Sequence, residues 1–153
     1  MLKGLPPLLT ADLLHALRAM GHGDELALVD ANFPAASHAA RLIELPGTTA
    51  PQALTAILTV MPVDAEAAPA AYTMEVDGDP QAVPAPVAEF AIAFTEHDLA
   101  DCEIGRLESR AFRERTRRAF AVVRTGDLRP HASILLIKGA VRPITPAQDP
   151  DPS

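Results

Sequence analysis

The chain has one cysteine and no tryptophan among 153 residues, and aromatic residues make up only 4% of it. A lone Cys102 excludes an internal disulfide and any cysteine-based zinc cluster. It reads as a small apolar residue in a reducing compartment. With so few rings, the core has to be built from Ala, Leu, Val and Ile, which suits helices packed closely on a sheet. Glycine is scarce, eight residues against fifteen prolines. No run approaches the ~20 apolar residues of a membrane span, and Met1 to Pro7 lacks the apolar region of a secretion signal. The expected location is the cytoplasm, with no membrane partner. No internal repeat, nucleophile elbow, phosphate-binding glycine loop or dinucleotide fingerprint is present.

Net positive charge is also lacking: the formal charge is −7. Such a chain is a poor nucleic-acid binder unless its positive charge is focused. Some is focused, in Arg106, Arg110, Arg113, Arg115, Arg117 and Arg118. Two readings stay open, a solvated helix face interleaved with Glu108 and Glu114, or a polyanion site; the first is the expectation, with no nucleic-acid partner.

What is there reads as alternating helices and strands. Thr10 caps a first helix, with Asp12 in its first turn and Leu13, Leu14, Leu17 and Met20 at helical spacing. Gly21 is expected to be the left-handed residue that ends it. Strands are expected at Glu25–Val29, Leu42–Leu45, Tyr72–Val76, Ile104–Leu107, Ala119–Arg124 and Ile134–Lys138. Helices are expected from about Ala35 to Arg41, after Pro51, after Pro84–Pro86, and from Ser109 to Arg118. Residues 62–70 form a Pro/Ala-rich loop. One domain spans residues 1–142, and the Pro/Asp-rich tail 143–153 is expected to be disordered. The consecutive aliphatics of the last strand require a sheet covered on both faces. The fold class is therefore α/β, with helices on both sides of one sheet.

The segment Met20-Gly21-His22-Gly23-Asp24-Glu25 carries the clearest chemistry. An imidazole between two glycines sits on bare backbone that a ligand can approach, and it is suited to moving protons. It reads as a general acid/base, or as a helix-end histidine bonding the last carbonyls. Asp30, at the carboxyl end of the first strand, could orient an imidazole or accept from a hydroxyl; otherwise it caps the following turn. His22 lies before that strand, so the two meet only if the loop folds over or a neighbour assists. Asp24 and Glu25 with His22 suggest a hard-metal site, but no second histidine stands at ligand spacing, and no metal is expected. His131 and Ser133, two apart before the last strand, point toward one face, lining a pocket or an exposed loop. His15, His38 and His97 read as surface residues.

Several of these segments, taken in order, resemble the D-ribose pyranase / L-fucose mutarotase family. They are Met20–Glu25 with Asp30-Ala31-Asn32-Phe33-Pro34, Phe112-Arg113-Glu114-Arg115, Ala119–Val123, Thr125-Gly126 and Ile134–Gly139. The resemblance covers residues 1 to 141 and leans toward the fucose mutarotase branch. It implies a three-layer α/β/α sandwich and ring-like homo-oligomers, often decamers, with sites near subunit interfaces. It implies mutarotation of a monosaccharide substrate without a cofactor. His22 falls on the family's acid/base histidine and Asp30 on its substrate-contacting aspartate. Ser109, with Arg110 beside it, stands where fucose mutarotases have arginine and ribose pyranases histidine. A one-residue shift on a helix turns a side chain by about 100°. His131 and Ser133 stand where the family has Tyr and Asn. The expected function is interconversion of the anomers of a fucose-like sugar by His22. The rival reading is a non-catalytic sugar-binding or regulatory oligomer. A metal-dependent hydrolase or isomerase using His22, Asp24 and Asp30 is the weaker third reading.

Overall fold

The computed structural model describes residues 1–144; beyond Ile144, the expectation for the tail lies outside the described residues. Along the chain come α1 (Ala11–Ala19), β1 (Glu25–Val29), α2 (Ala35–His38), β2 (Leu42–Leu45), α3 (Ala50–Leu58) and β3 (Ala71–Met74). Then follow α4 (Ala85–Glu96), β4 (Ile104–Leu107), α5 (Ser109–Arg118), β5 (Ala121–Thr125) and β6 (Ile134–Ile137). The third strand is shorter than the sequence suggests and ends at Met74, before a turn in which Val76 bridges Asp79. The fifth begins two residues later than expected, at Ala121.

The six strands form one sheet in the order β2-β5-β1-β6-β3-β4. β1 is parallel to β5 and β5 to β2, while β3 is parallel to β4. β6 runs antiparallel between β1 and β3 and joins the two parallel groups. Alternation along the strands divides the core. Leu26, Leu28, Ala121, Val123, Ile134 and Leu136 pack with α1, α3 and α4 on one face. Ala27, Val29, Val122 and Leu135 pack with Phe33, Ala35 and Phe112 of the α2/α5 side on the other. The result is a three-layer α/β/α arrangement, and burying both faces of β6 removes Ile134, Leu135 and Leu136 from water, about 1.5–3 kcal/mol each.

Local chemistry sets the helix ends. The Thr10 hydroxyl accepts from the Leu13 N–H at 3.3 Å. Thr49 and Gln52 form a reciprocal capping box at α3, with Pro51 in its first turn. The exit of α1 differs from expectation. Gly21 is not left-handed; Met20 leaves the helix extended, and Gly23 has φ +87°. Other groups satisfy the helix end: Lys138 Nζ donates to the Leu17 carbonyl at 2.8 Å and also to the Met20 carbonyl, while the Asp24 carboxylate accepts from Gly21 N–H at 2.7 Å. With the carbonyls taken by a cation, no glycine-ended Schellman turn is needed.

Candidate active site

The turn that carries His22 is held from three directions. Gly23 N–H donates to the Lys138 carbonyl at 2.8 Å, Asp24 fixes Gly21, and Lys138 ties β6 to α1. Residues 62–64 lie against the end of β6, where Val63 bridges Lys138 and Asp64 N–H donates to the Ile137 carbonyl at 2.9 Å. Gly139 permits this contact: a Cβ there would sit 2.6 Å from the Val63 carbonyl oxygen. The loop thereby brings the Asp64 carboxylate to 3.2 Å from His22 Nε2. The imidazole side chain remains 57% exposed and Asp64 only 18%. His22 lines a cavity of about 430 Å³ with Leu14, Met20, Val60 and Lys138, and a smaller one of about 120 Å³ with Asp64 and Gly139.

Asp30 lies at the other end of β1. Its carboxylate accepts from the Ser133 hydroxyl at 3.1 Å and from Asn32 N–H at 2.9 Å, and its own N–H donates to Ser133 Oγ at 3.2 Å. Asp30 is 8% exposed and Ser133 is fully buried. β1 rises roughly 3.3 Å per residue, so Glu25 and Asp30 stand roughly 16 Å apart. β6 confirms the separation by register: Glu25 pairs with Ile137 and Leu28 with Ile134. His22 is therefore at the finish of β6 and Asp30 at its start. Within one chain the two do not meet.

The remaining sequence candidates distribute as follows. His131 precedes Ser133 in a left-handed conformation, φ +62°, and its Nδ1 is buried without a hydrogen-bond partner. Ser109 opens α5 at the same end of the sheet, where β3 and β4 finish, and Glu108 before it makes no side-chain cap. The free N–H groups of that helix end suit hydroxyl oxygens or an anion. Arg110 turns away along its own helix, 83% exposed, and pairs with Glu114 at 3.2 Å. Thr73 Oγ1 and Arg106 Nε and Nη2 are also buried without partners, and the two residues are register neighbours on β3 and β4. Hydrogen-bonding capacity left open in this way is uncommon in folded proteins.

A second ionic cluster braces the Asp30 end. Arg129 binds Asp127 at 2.9 and 3.0 Å and Glu89 of α4 at 2.9 and 3.0 Å. Buried Asp127 also accepts from Ala50 N–H at the start of α3, and its carbonyl accepts from Ala31 N–H. The Arg129 guanidinium holds the Asp127 carboxyl below its ordinary pKa, and Asp127 and Glu89 together raise that of Arg129. The cluster fixes the loop between β5 and β6, which delivers His131 and Ser133.

Sequence reading missed Asp64, Asp127 and Arg129. Asp64 carried one weak signal, a carboxylate inside a Pro/Ala-rich loop; its partner is 42 residues away in the chain. Among the described residues no cluster of three or more His, Cys, Asp or Glu is arranged to hold a metal ion. None of the described helices is long and apolar enough to cross a membrane.

Known proteins are similar to this chain in sequence and in fold. Residues 3–141 match the RbsD / FucU transport protein family. The fucose mutarotase of Danio rerio is 36% identical over 146 residues, which cover 93% of this chain and 95% of that protein. The solved fucose mutarotase of Streptococcus pneumoniae, in complex with L-fucose, is 38% identical, with a TM-score of 0.84, covering 92% of this chain and 100% of the other. FucU of Bifidobacterium longum gives the same identity, TM-score and coverage. A match over nearly the whole chain, with the same sandwich and the His22 and Asp30 segments inside it, leaves one assignment: the chain belongs to the RbsD/FucU family.

Proposed function

We propose that this protein is an isomerase, a mutarotase that interconverts the anomers of a fucose-like monosaccharide, with His22 as its acid/base. The observation that carries the proposal is the His22–Asp64 hydrogen bond at the wall of an open cavity. With Nε2 turned to the carboxylate, Nδ1 is left for the sugar, and Asp64 steadies the imidazolium that forms. The imidazole takes the proton of the anomeric hydroxyl. The C1–O5 bond breaks as the C1 carbonyl forms, and the proton passes to the ring oxygen. Rotation about C1–C2 turns the other carbonyl face toward O5, and the reverse sequence closes the ring. No proton or electron is gained overall, so the chemistry needs neither metal nor cofactor. The uncatalysed reaction already proceeds, and acid–base placement supplies ~10²–10⁴-fold.

Asp30 and Ser133 are the sugar-binding pair in this reading. A carboxylate has about four acceptor positions; Ser133 and Asn32 occupy two and leave the others for sugar hydroxyls. His131 Nδ1 and the α5 N-terminus at Ser109 add hydrogen-bonding groups at the same end. Because His22 and Asp30 lie at opposite ends of β1, one sugar engages both only across two copies, with His22 of one facing Asp30 of the next. Exposed Leu128 beside the Asp30 end, and exposed Val60 and Val141 beside the His22 end, support such packing. The assembly is a closed homo-oligomer, a decamer if it follows the resemblance, in the cytoplasm.

Magnetisation-transfer NMR tests the activity across L-fucose, D-ribose, D-galactose and L-rhamnose. Faster anomer exchange with L-fucose, lost in His22→Ala, is the expected result. Undiminished exchange in that variant overturns the role of His22. Saturable sugar binding without faster exchange in the wild type favours the rival reading, a binding protein. That rival draws on the Asp30–Ser133 pair, which is complete without His22.

A further inference from the structure

The arginine-rich segment of α5 has no part in the mutarotase reading, yet the fold gathers three of its five arginines with Arg41. Arg115, Arg117, Arg118 and Arg41 line one polar cleft of about 540 Å³ between the end of α5 and the start of β1. The size is that of a small-molecule site. It is separate from the cavities His22 lines, and it begins at Gly23, the next residue.

The cleft's charges are unevenly compensated. Arg115 is spent on Glu25, with Nε at 2.9 and 3.0 Å from the two carboxylate oxygens, and its guanidinium lies 4.2 Å over the Tyr72 ring. The Asp24 carboxylate is engaged by Gly21 N–H. Arg41 is held flat: its guanidinium lies 4.1 Å over the Phe120 ring, and Nη1 donates to the Phe120 carbonyl at 3.1 Å. That uses one of five donors and leaves the others available in a fixed plane. Among the described residues no ion pair joins Arg41, Arg117 or Arg118 to a carboxylate. The carboxyl end of α5 contributes about half a negative charge. Three uncommitted guanidinium groups exceed that and Asp24 together by more than one positive charge. A solvated helix end complementing its dipole does not require Arg41, which comes from the loop before β2.

We propose that this cleft is a binding site for a phosphate monoester of small-metabolite size. Guanidinium forks match phosphate oxygens in pairs, and a phosphate dianion balances the residual charge. A protein of net charge −7 repels such a ligand elsewhere, so a local positive cleft also confers selectivity of place.

Isothermal titration calorimetry with inorganic phosphate, in a phosphate-free buffer at constant ionic strength, tests the site. Saturable binding near one equivalent per chain is expected. Arg117→Ala and Arg118→Ala each weaken it about tenfold or more, while Arg113→Ala, with the same charge change on the same helix, leaves it within about twofold. No saturable heat overturns the proposal, and so does equal weakening by Arg113→Ala. A dissociation constant that follows protein concentration also overturns it, because the cleft is then a contact between copies. D-glucose 6-phosphate separates two sources of the shared chemistry: tighter binding than inorganic phosphate supports the ester, and equal binding overturns it in favour of the free anion. Anomer exchange of Arg118→Ala in phosphate-free buffer stays at the wild-type rate, so failure here is distinct from failure of the mutarotase reading.

Discussion

The two ends of β1 are built on different principles. At the start, His22 stands on a turn between two glycines, more than half exposed, with a single side-chain partner brought by a loop. At the finish, Asp30 is buried, bonded twice to Ser133, and backed by the Asp127–Arg129–Glu89 cluster. A proton-transfer group needs access and a free ring nitrogen, which exposure supplies. A sugar-positioning group needs a fixed carboxylate, and burial with paired hydrogen bonds supplies that. In the proposed site the exposed end of one copy meets the rigid end of another, and the difference gives each end its part.

The contrast can be tested most severely by mixing. His22→Ala is expected to lower anomer exchange by ~10²–10⁴-fold with an unchanged circular dichroism spectrum, because the side chain is more than half exposed. Asp30→Ala is expected to lose exchange as well. Co-expressing the two inactive variants should restore part of the activity, since some interfaces then pair an intact His22 with an intact Asp30. Absence of rescue, with mixed oligomers demonstrated, would place both groups in sites of one copy and break the comparison.

A smaller effect is expected at Asp64. Asp64→Asn keeps the shape but removes the charge that steadies the imidazolium, and a loss of about tenfold in kcat is expected, one lost charge-assisted bond being worth about 1.5 kcal/mol or more. The loss should fall on kcat rather than on KM, and an unchanged kcat would give Asp64 a merely structural part.

The rigid end should respond through stability. Asp127 has its pKa held below the ordinary value by Arg129. Its stabilising contribution is therefore complete above the unfolded-state value of about 3.9 and lost as pH falls through the lower folded-state value. Asp127→Asn is expected to lower unfolding free energy by about 1–3 kcal/mol near neutral pH and to flatten the acid limb of a urea-denaturation series. The smallest effect belongs to Arg110→Ala. An exposed pair at this helical spacing contributes about 0.3–0.5 kcal/mol, and exchange should stay within about twofold of wild type.

Much of the fold was legible because its signals are local. The Thr10 cap, the Thr49 and Pro51 start of α3, and the unbroken aliphatics of β6 each carry their reason within a few residues. Gly21 shows the limit of local reading. Its expected turn moved to Gly23 because Lys138, more than a hundred residues away, takes the α1 carbonyls. The site divides in the same way. His22 and Asp30 stand in one recognisable segment, and Ser133 was legible as a candidate though not as the partner of Asp30. Asp64 was hardly legible, because nothing near it in the chain demands a histidine.

By itself, the sequence determined the α/β alternation, the helix caps, the sheet's two buried faces and the presence of a histidine between two glycines. These follow from residue spacing and from the intrinsic chemistry of side chains. Only the tertiary structure decided that β6 runs antiparallel between two parallel groups, that Asp64 reaches His22, and that His22 and Asp30 face opposite ends of one strand. Those outcomes depend on which strands pair and in what register, and pairing is settled by the packing of the whole core rather than by any neighbouring stretch of chain.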